Sequence, residues 1–388
     1  MTSNRRVTWA VAASLFAITV AAFLRPPLLP DIGRDLTLSS LGLGALGSVF
    51  ALGRLAADIP AGRLSDSRAP GAMMIASASM VGVGSLGLAV APTSVVAFLA
   101  VFVLGVGSTW TLTTAQAHFA TAPRARRGLA MSFFAAALLT GQAIGPVVGG
   151  AIGSVWDWRV AIGAGAVIAV IVIIPLSRLG PTPPPSARVE EREVHPPERR
   201  DTRIVLSFIY LLPAVQFAIG AALIQTLVPI LADEDLGLGA GIVGAVLGVG
   251  GIARLVSALG AGWIMDNLGR RAALIPGLGL QLAGVVLFAV NGSLGALWLS
   301  VVLVSLGSVS VNVGTTLLAD LSEGGRLGPR LGAFRFTGDA AFLVAPVLAG
   351  WLLGVQGRTI ATAPLIVLTA VVLLGCSIWV PETKAVGS

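Results

Sequence analysis

The sequence predicts an all-α membrane protein, with twelve transmembrane helices in two pseudo-symmetric six-helix bundles. Three observations predict it. Apolar runs recur along the whole chain, each of about 20 residues and so long enough to cross a roughly 30 Å hydrocarbon core. Only 11% of the 388 residues are charged and 55% are hydrophobic, whereas a soluble domain carries about 25% charged residues. The stretch 44–66, GALGSVFALGRLAADIPAGRLSD, returns 200 residues later as GAVLGVGGIARLVSALGAGWIMD, 244–266. At that offset Gly44 matches Gly244, Ala45 Ala245, Arg54 Arg254, Leu55 Leu255, Ala61 Ala261, Gly62 Gly262 and Asp66 Asp266. A period near half the chain length is the duplication of a large unit, not a solenoid of short repeats. A transmembrane barrel needs alternating segments of about ten residues, and the sequence has none.

Helix 1 is expected at about 8–31. It follows MTSNRRVTW, which mimics a secretory signal, but the apolar run is too long and is followed by many more, so it is a retained span. Helices 2 to 6 are expected at about 40–62, 71–92, 95–119, 129–153 and 159–177. Residues 178–202, RLGPTPPPSARVEEREVHPPERRDT, are rich in proline and charge and cannot form a core. They read as a cytoplasmic linker between a bundle at 1–177 and a second at 203–388, with His195 a solvated histidine. Helices 7 to 12 follow at about 203–231, 240–263, 271–291, 295–319, 331–354 and 360–380. Glycine is frequent inside these spans, as expected where small residues let membrane helices approach closely.

Charge sorting tests the count. Lys384 is the sole lysine, so arginine supplies nearly all of the 25 cations. With the N-terminus inside, 18 cations fall in inside segments, 3 in outside loops (Arg34, Arg159 and Arg358) and 4 within helices (Arg25, Arg54, Arg254 and Arg335). That bias orients both termini to the cytoplasm, as expected for a multi-pass protein of the cell's inner (plasma) membrane. It also explains the net charge of +7 without a nucleic-acid partner. Cys376 is alone in an apolar run, so no disulfide framework or thiol metal site is expected.

The second copy of the duplicated stretch ends GWIMDNLGRR, with Gly262, Asp266, Gly269, Arg270 and Arg271. A Gly-x-x-x-Asp-x-x-Gly-Arg-Arg turn between the second and third helices of a half resembles the signature loop of the major facilitator superfamily. The first copy keeps Gly62 and Asp66 but has Ala69, Pro70 and Gly71 in place of the glycine and the two arginines. Helix 5 carries GQAIGPVVGG, with Gly141, Gly145, Pro146, Gly149 and Gly150. It resembles the antiporter motif of that superfamily's twelve-helix drug and metabolite efflux branch. Pro346 and Gly350 of helix 11 stand at its repeat positions, and helix 1 ends in LRPPLLPDIG, similar to the same branch. The resemblance covers the whole chain. It implies a monomeric secondary transporter without cofactor or metal, working by alternating access on a small molecule, with proton-coupled efflux. One departure stands against the branch: where helix 4 would carry an arginine four residues before Gly105, this chain has Val101.

A charge at membrane depth costs at least about 2.5–3.5 kcal/mol, so each is a functional candidate. Helix 2 carries Arg54 and Asp58, and helix 11 carries Arg335 and Asp339, each pair four residues apart and so on one helix face. Measured from the cytoplasmic ends, Asp58 and Arg335 lie about 6 Å in, and Arg54 and Asp339 about 12 Å in, at about 1.5 Å per residue. In the superfamily these two helices face each other across the interface between halves. The match implies crossed ion pairs, Asp58–Arg335 and Arg54–Asp339, as a cytoplasmic gate; the plainer reading is that each Arg/Asp pair neutralises itself. Arg254 has no acid at the Asp58 equivalent. Arg25, before Pro26 and Pro27, is placed either to bind an anionic substrate group or to bond carbonyls that the prolines leave free. Its repeat mate is Gln225. Gln116, Gln142 and Asn312 complete the candidate substrate contacts, and Asp31, Asp58, His118 and Asp339 the candidate proton carriers. Pro146 is expected to kink helix 5. The alternative within transport is an organic-anion or amphiphilic-lipid carrier without proton antiport, favoured by four membrane arginines. A receptor would want an appended soluble domain. No nucleophile–base set, phosphate loop or metal cluster points to an enzyme.

Overall fold

The structure, a computed structural model, describes residues 2–122, 124–177, 200–321 and 327–380. Within them the side chains of 2–6, 65–67, 124, 125, 127, 200–203, 266, 311, 319, 320 and 327–329 are left out. Most of the expected linker, with His195, therefore lies outside the described residues, as do the side chains of Asp66 and Asp266.

The described residues are helical almost throughout. Eleven stretches are long and apolar enough to cross a membrane. The last of them, Arg330–Trp379, is two helices, because Gly357 at φ 76° is not helical and turns the chain between them. This residue takes the place of the loop expected at 355–359. Large apolar side chains line the outer faces at helical spacing: Val167, Val170, Ile171 and Ile174 on helix 6, and Val367, Val371, Leu374 and Ile378 on helix 12, are all exposed. Such stripes are stable only where hydrocarbon takes the place of water. The chain is a multi-pass membrane protein.

Three helices differ from the uninterrupted spans expected. Helix 1 runs Thr2–Ala22, breaks over 23–25, continues as a 3-10 turn at Pro26–Leu28 and ends as Leu29–Asp35. Pro26 and Pro27 lack the N–H that would hold the preceding turn. Helix 7 runs Arg200–Ala218, widens to a π-helix over Ile219–Leu227 and resumes as Val228–Leu236. Helix 10, Leu294–Leu306, tightens at Gly307–Val309 before Ser310–Asp320. The others are regular: helix 2 Ser40–Ser67, helix 3 Pro70–Ala89, helix 4 Ser94–Ala120, helix 5 Arg124–Val155 and helix 6 Trp158–Ser177. Helix 8 is Ala240–Asn267 and helix 9 Arg270–Val290. Helix 5 is continuous through Pro146.

Contacts divide the helices into two units. Unit 1 holds helices 1–6 and the first part of helix 8, Gly237–Gly251. There helix 4 packs on helices 2 and 3, and helix 1 on helices 4, 5 and 6. Unit 2 holds helix 7, helix 8 from Ile252 onward and helices 9–12. There helix 9 packs on helix 10, and helices 7 and 9 pack on the 327–379 segment. The duplication extends to the caps: Thr93 accepts from the Val96 N–H, and its repeat mate Ser293 from the Ala296 N–H, fixing the starts of helices 4 and 10.

Candidate functional site

The break in helix 1 leaves Arg25 buried within unit 1. Its side chain is 6% exposed, its guanidinium carbon lies 5.1 Å from the centroid of the Phe50 ring on helix 2, and its Nε is enclosed without a hydrogen-bond partner. The structural role left open for it, bonding the freed carbonyls, is not what the side chain does. On helix 4, Thr109 Oγ1 and Trp110 Nε1 are likewise enclosed without partners, and neither stood among the candidates from sequence. Val101, in place of the branch's arginine, is fully buried.

Gln225, the repeat mate of Arg25, is half-buried within the π segment of helix 7. The wide turn shows in the next residue, whose Thr226 hydroxyl donates to the Ala221 carbonyl five residues back, at 2.9 Å. Both copies of the repeat are therefore irregular at the same place, 23–28 in one and 219–227 in the other. Elsewhere in unit 2, Gln281 of helix 9 donates to Gln216 of helix 7 at 2.6 Å, and both are buried. Two glutamines inside apolar spans were the available sequence signal for this pair.

The remaining candidates are distributed. Gln116 and Gln142 are half-buried and Asn312 is exposed. His118 Nε2 and Thr8 Oγ1 are 3.3 Å apart, joining helices 4 and 1. Asp31 is held by Arg34 at 2.6 Å on an exposed turn. Arg54 and Asp58 are half-buried on helix 2; on helix 11 Asp339 is half-buried and Arg335 exposed. In the signature loop Gly269 takes φ 103°, a conformation glycine adopts without strain. The equivalent Ala69 is extended, and Pro70 starts helix 3 directly. Arg270 donates to the Met265 carbonyl at 3.0 Å. Arg271 donates to the Ser377 and Val380 carbonyls, capping the end of helix 12, where a cation also suits the helix dipole.

The glycines of helix 5 face two partners, both within unit 1. A β-carbon on Gly141 would sit 2.8 Å from Thr19 Cβ, and one on Gly145 2.7 Å from Phe23 Cβ. On Gly149 it would overlap the Leu24 carbonyl, one residue before Arg25. On Gly150 it would overlap the carbonyl of Ala240, and on Gly244 that of Pro146. Helix 5 is thereby clasped between helix 1 at its break and the first turns of helix 8. By contrast, a β-carbon on Gly62 or Gly262 meets nothing within 4 Å.

Membrane helices interrupted at equivalent points of two repeats, with polar side chains at the interruptions, define a membrane transport protein. The chain belongs to the Major Facilitator Superfamily, whose family model matches residues 10–307 and 214–388. The multidrug efflux pump LfrA of Mycolicibacterium smegmatis (strain ATCC 700084 / mc(2)155) is 38% identical over 89 residues, which is 23% of this chain and 16% of that pump. The match thus spans about a sixth of that relative's length. A bacterial homologue of the human lysosomal transporter Spinster, in an inward-facing and unoccupied conformation, superposes with a TM-score of 0.78 at 12% identity over 99% of each chain. The nucleoside transporter NupG superposes with a TM-score of 0.76 at 11% identity, over 96% of this chain and 100% of that one. At these identities the likeness establishes the fold, not the cargo.

Proposed function

We propose that this superfamily transporter is a monomeric secondary active exporter of a small organic molecule, driven by exchange for protons and working by alternating access. In this reading it sits in the cell's inner membrane with both termini cytoplasmic, an orientation that the arginine bias supports. The observation that carries the reading is the paired interruption: helix 1 breaks at Arg25 and helix 7 widens at Gln225, equivalent residues of the two repeats. Broken spans at corresponding positions of two halves expose backbone and polar groups at membrane depth, where a cargo site is built. Export is supported by the short match to an efflux pump and by the glycine motif of helix 5. Asp58 and Asp339, the acids within spans, are the proton carriers in this reading. Together with Arg54 and Arg335 they form the crossed cytoplasmic gate. Gln116, Gln142 and Asn312 join Arg25 and Gln225 as cargo contacts.

One observation favours a second reading, an organic-anion or amphiphilic-lipid carrier without proton antiport: among the described residues the buried cation of helix 1 has no acid beside it. Proteoliposomes loaded with a pH-sensitive dye separate the two. A lumenal pH change driven by added cargo supports proton exchange, and anion flux independent of the pH gradient supports the second. Flux no greater than through protein-free liposomes, for cationic, neutral and anionic aromatic compounds alike, removes both.

A further inference from the structure

We infer that Arg25 is the anion-recognition residue of the cargo site, and that the cargo carries a carboxylate or phosphate group on an apolar body. The inference rests on the transport reading for its place in a cycle, but its evidence is local. Arg25 is buried, and among the described residues its side chain makes no ion pair or hydrogen bond; its one specific side-chain contact is the Phe50 ring. The described acids of unit 1 are committed elsewhere. Asp31 is held by Arg34 and Asp35 by Arg159. Asp157 accepts from the Arg159 backbone N–H, and Asp58 has an interaction of its own. A permanently charged guanidinium enclosed in this way is costly, and it is retained at the one point where helix 1 is broken.

What it can bind follows from shape and surroundings. The guanidinium is a planar fork matched to two oxygens of a carboxylate or phosphate. Phe50 is itself buried, so the ring holds the guanidinium in place. Leu24, Pro26, Pro27 and Leu28, the chain neighbours at the break, are buried and apolar. An anion entering here gains most if its remainder is apolar too, because a strongly hydrated inorganic ion would lose its water against these side chains. Gly149 overlying the Leu24 carbonyl fixes the neighbouring backbone, so the site is held rigidly from behind.

The test is binding to detergent-purified protein, read by thermal shift and titration calorimetry. The probes are benzoate, phenyl phosphate and short-chain phosphatidylglycerol, against benzylamine and an equal concentration of sodium chloride. The expected result is stabilisation by at least one organic anion and by neither control, with affinity at least about tenfold weaker in Arg25→Gln, the loss of a charge-assisted hydrogen bond. Arg25→Lys, which keeps the charge and loses the fork, should fall between wild type and Arg25→Gln, and it serves as the reading if Arg25→Gln does not fold. Soluble anions and the lipid distinguish a free metabolite from a headgroup as the source. Equal stabilisation by benzylamine or sodium chloride overturns the inference, and so does anion binding that survives Arg25→Gln and Arg25→Lys undiminished. Because binding is read without flux, its failure is separable from failure of the transport reading. A cationic dye exported by wild-type protein that binds none of the organic anions would leave an exporter and remove the anion site.

Discussion

Arg159, at the start of helix 6, holds Asp35, at the end of helix 1, with Nη2 2.7 Å from Oδ2. Its Nη1 also donates to the Ala89 and Ala91 carbonyls at 2.9 and 3.0 Å, closing the end of helix 3. The same corner is built again in unit 2. Arg358 holds Asp235, and Thr359 reaches the Ala289 carbonyl. Asp35/Asp235 and Ala89/Ala289 lie 200 residues apart, and the arginines 199. The Asp35 carboxylate is 45% exposed, so the ion pair alone is worth under about 1 kcal/mol. Asp35→Asn should therefore lower the thermal midpoint little. Arg159→Ala also strips donors from two carbonyls and should cost about 1–3 kcal/mol. Equal losses in the two variants, measured by melting in detergent, would mean that the ion pair and not the carbonyl cap carries the corner.

The glycines of the transporter divide into those that are packed and those that are not, and substitution should divide them the same way. Gly149→Ala puts a methyl group into the Leu24 carbonyl, and Gly150→Ala puts one into that of Ala240. Overpacking of this kind costs about 1–3 kcal/mol, and backbone is what must move. Gly62→Ala meets open space and gains helix propensity of up to about 1 kcal/mol. Folded yield and melting midpoint should fall for the first two and hold or rise for the third. If Gly62→Ala melts well below wild type, the signature glycine of the first loop has a packing role that its surroundings do not show.

What was legible in the sequence follows from where each feature gets its energy. The spans and their duplication were legible because burial in hydrocarbon needs unbroken apolar runs, whatever their partners. The disturbance at Arg25 was legible too, since Pro26 and Pro27 disrupt helix 1 by their own chemistry. The π segment of helix 7 was not: IGAALIQTL contains no proline, and Pro229 two residues beyond it removes one bond to the Gln225 carbonyl without specifying a wide turn. The clasp on helix 5 was half legible. Gly149 and Gly150 announce close approaches, but only the fold shows that Leu24 makes the first and Ala240 the second. Arg159 and Arg358 were counted among the three outside cations, as signals of orientation. Their repeat spacing to Asp35 and Asp235 was in the sequence, and a corner joining three helix ends can be recognised only once those ends are adjacent.

The two signature loops predict opposite responses to the same exchange. Gly269 sits at φ 103°, where a β-carbon is strained by about 1–3 kcal/mol, while Ala69 is extended at φ −61°. Gly269→Ala should lower the melting midpoint and loosen the adjacent Arg270 and Arg271 contacts, seen as faster amide exchange at the end of helix 12. Ala69→Gly should change stability by no more than about 1 kcal/mol. A neutral Gly269→Ala would show that the turn relaxes to an ordinary conformation at no cost.

The crossed gate predicts a rescue. Helices 2 and 11 each present a cation and an acid four residues apart, in opposite order along the cytoplasmic depth, which is the arrangement that two facing helices need to pair twice. If Asp58 meets Arg335 at any stage of the cycle, Asp58→Arg alone sets two cations against each other and should reduce flux by at least about tenfold, the effect of roughly 1.4 kcal/mol on an equilibrium between states. Adding Arg335→Asp restores opposite signs and should recover most of that loss in proteoliposome flux. The pairing of Arg54 with Asp339 is tested by the same exchange. If each arginine instead serves only the acid of its own helix, both exchanges leave like charges four residues apart on each helix, and the double variants should transport no better than the singles. Recovery in the doubles, with no recovery when Asp58→Arg is combined with Asp339→Arg, separates the crossed arrangement from two self-neutralising helices.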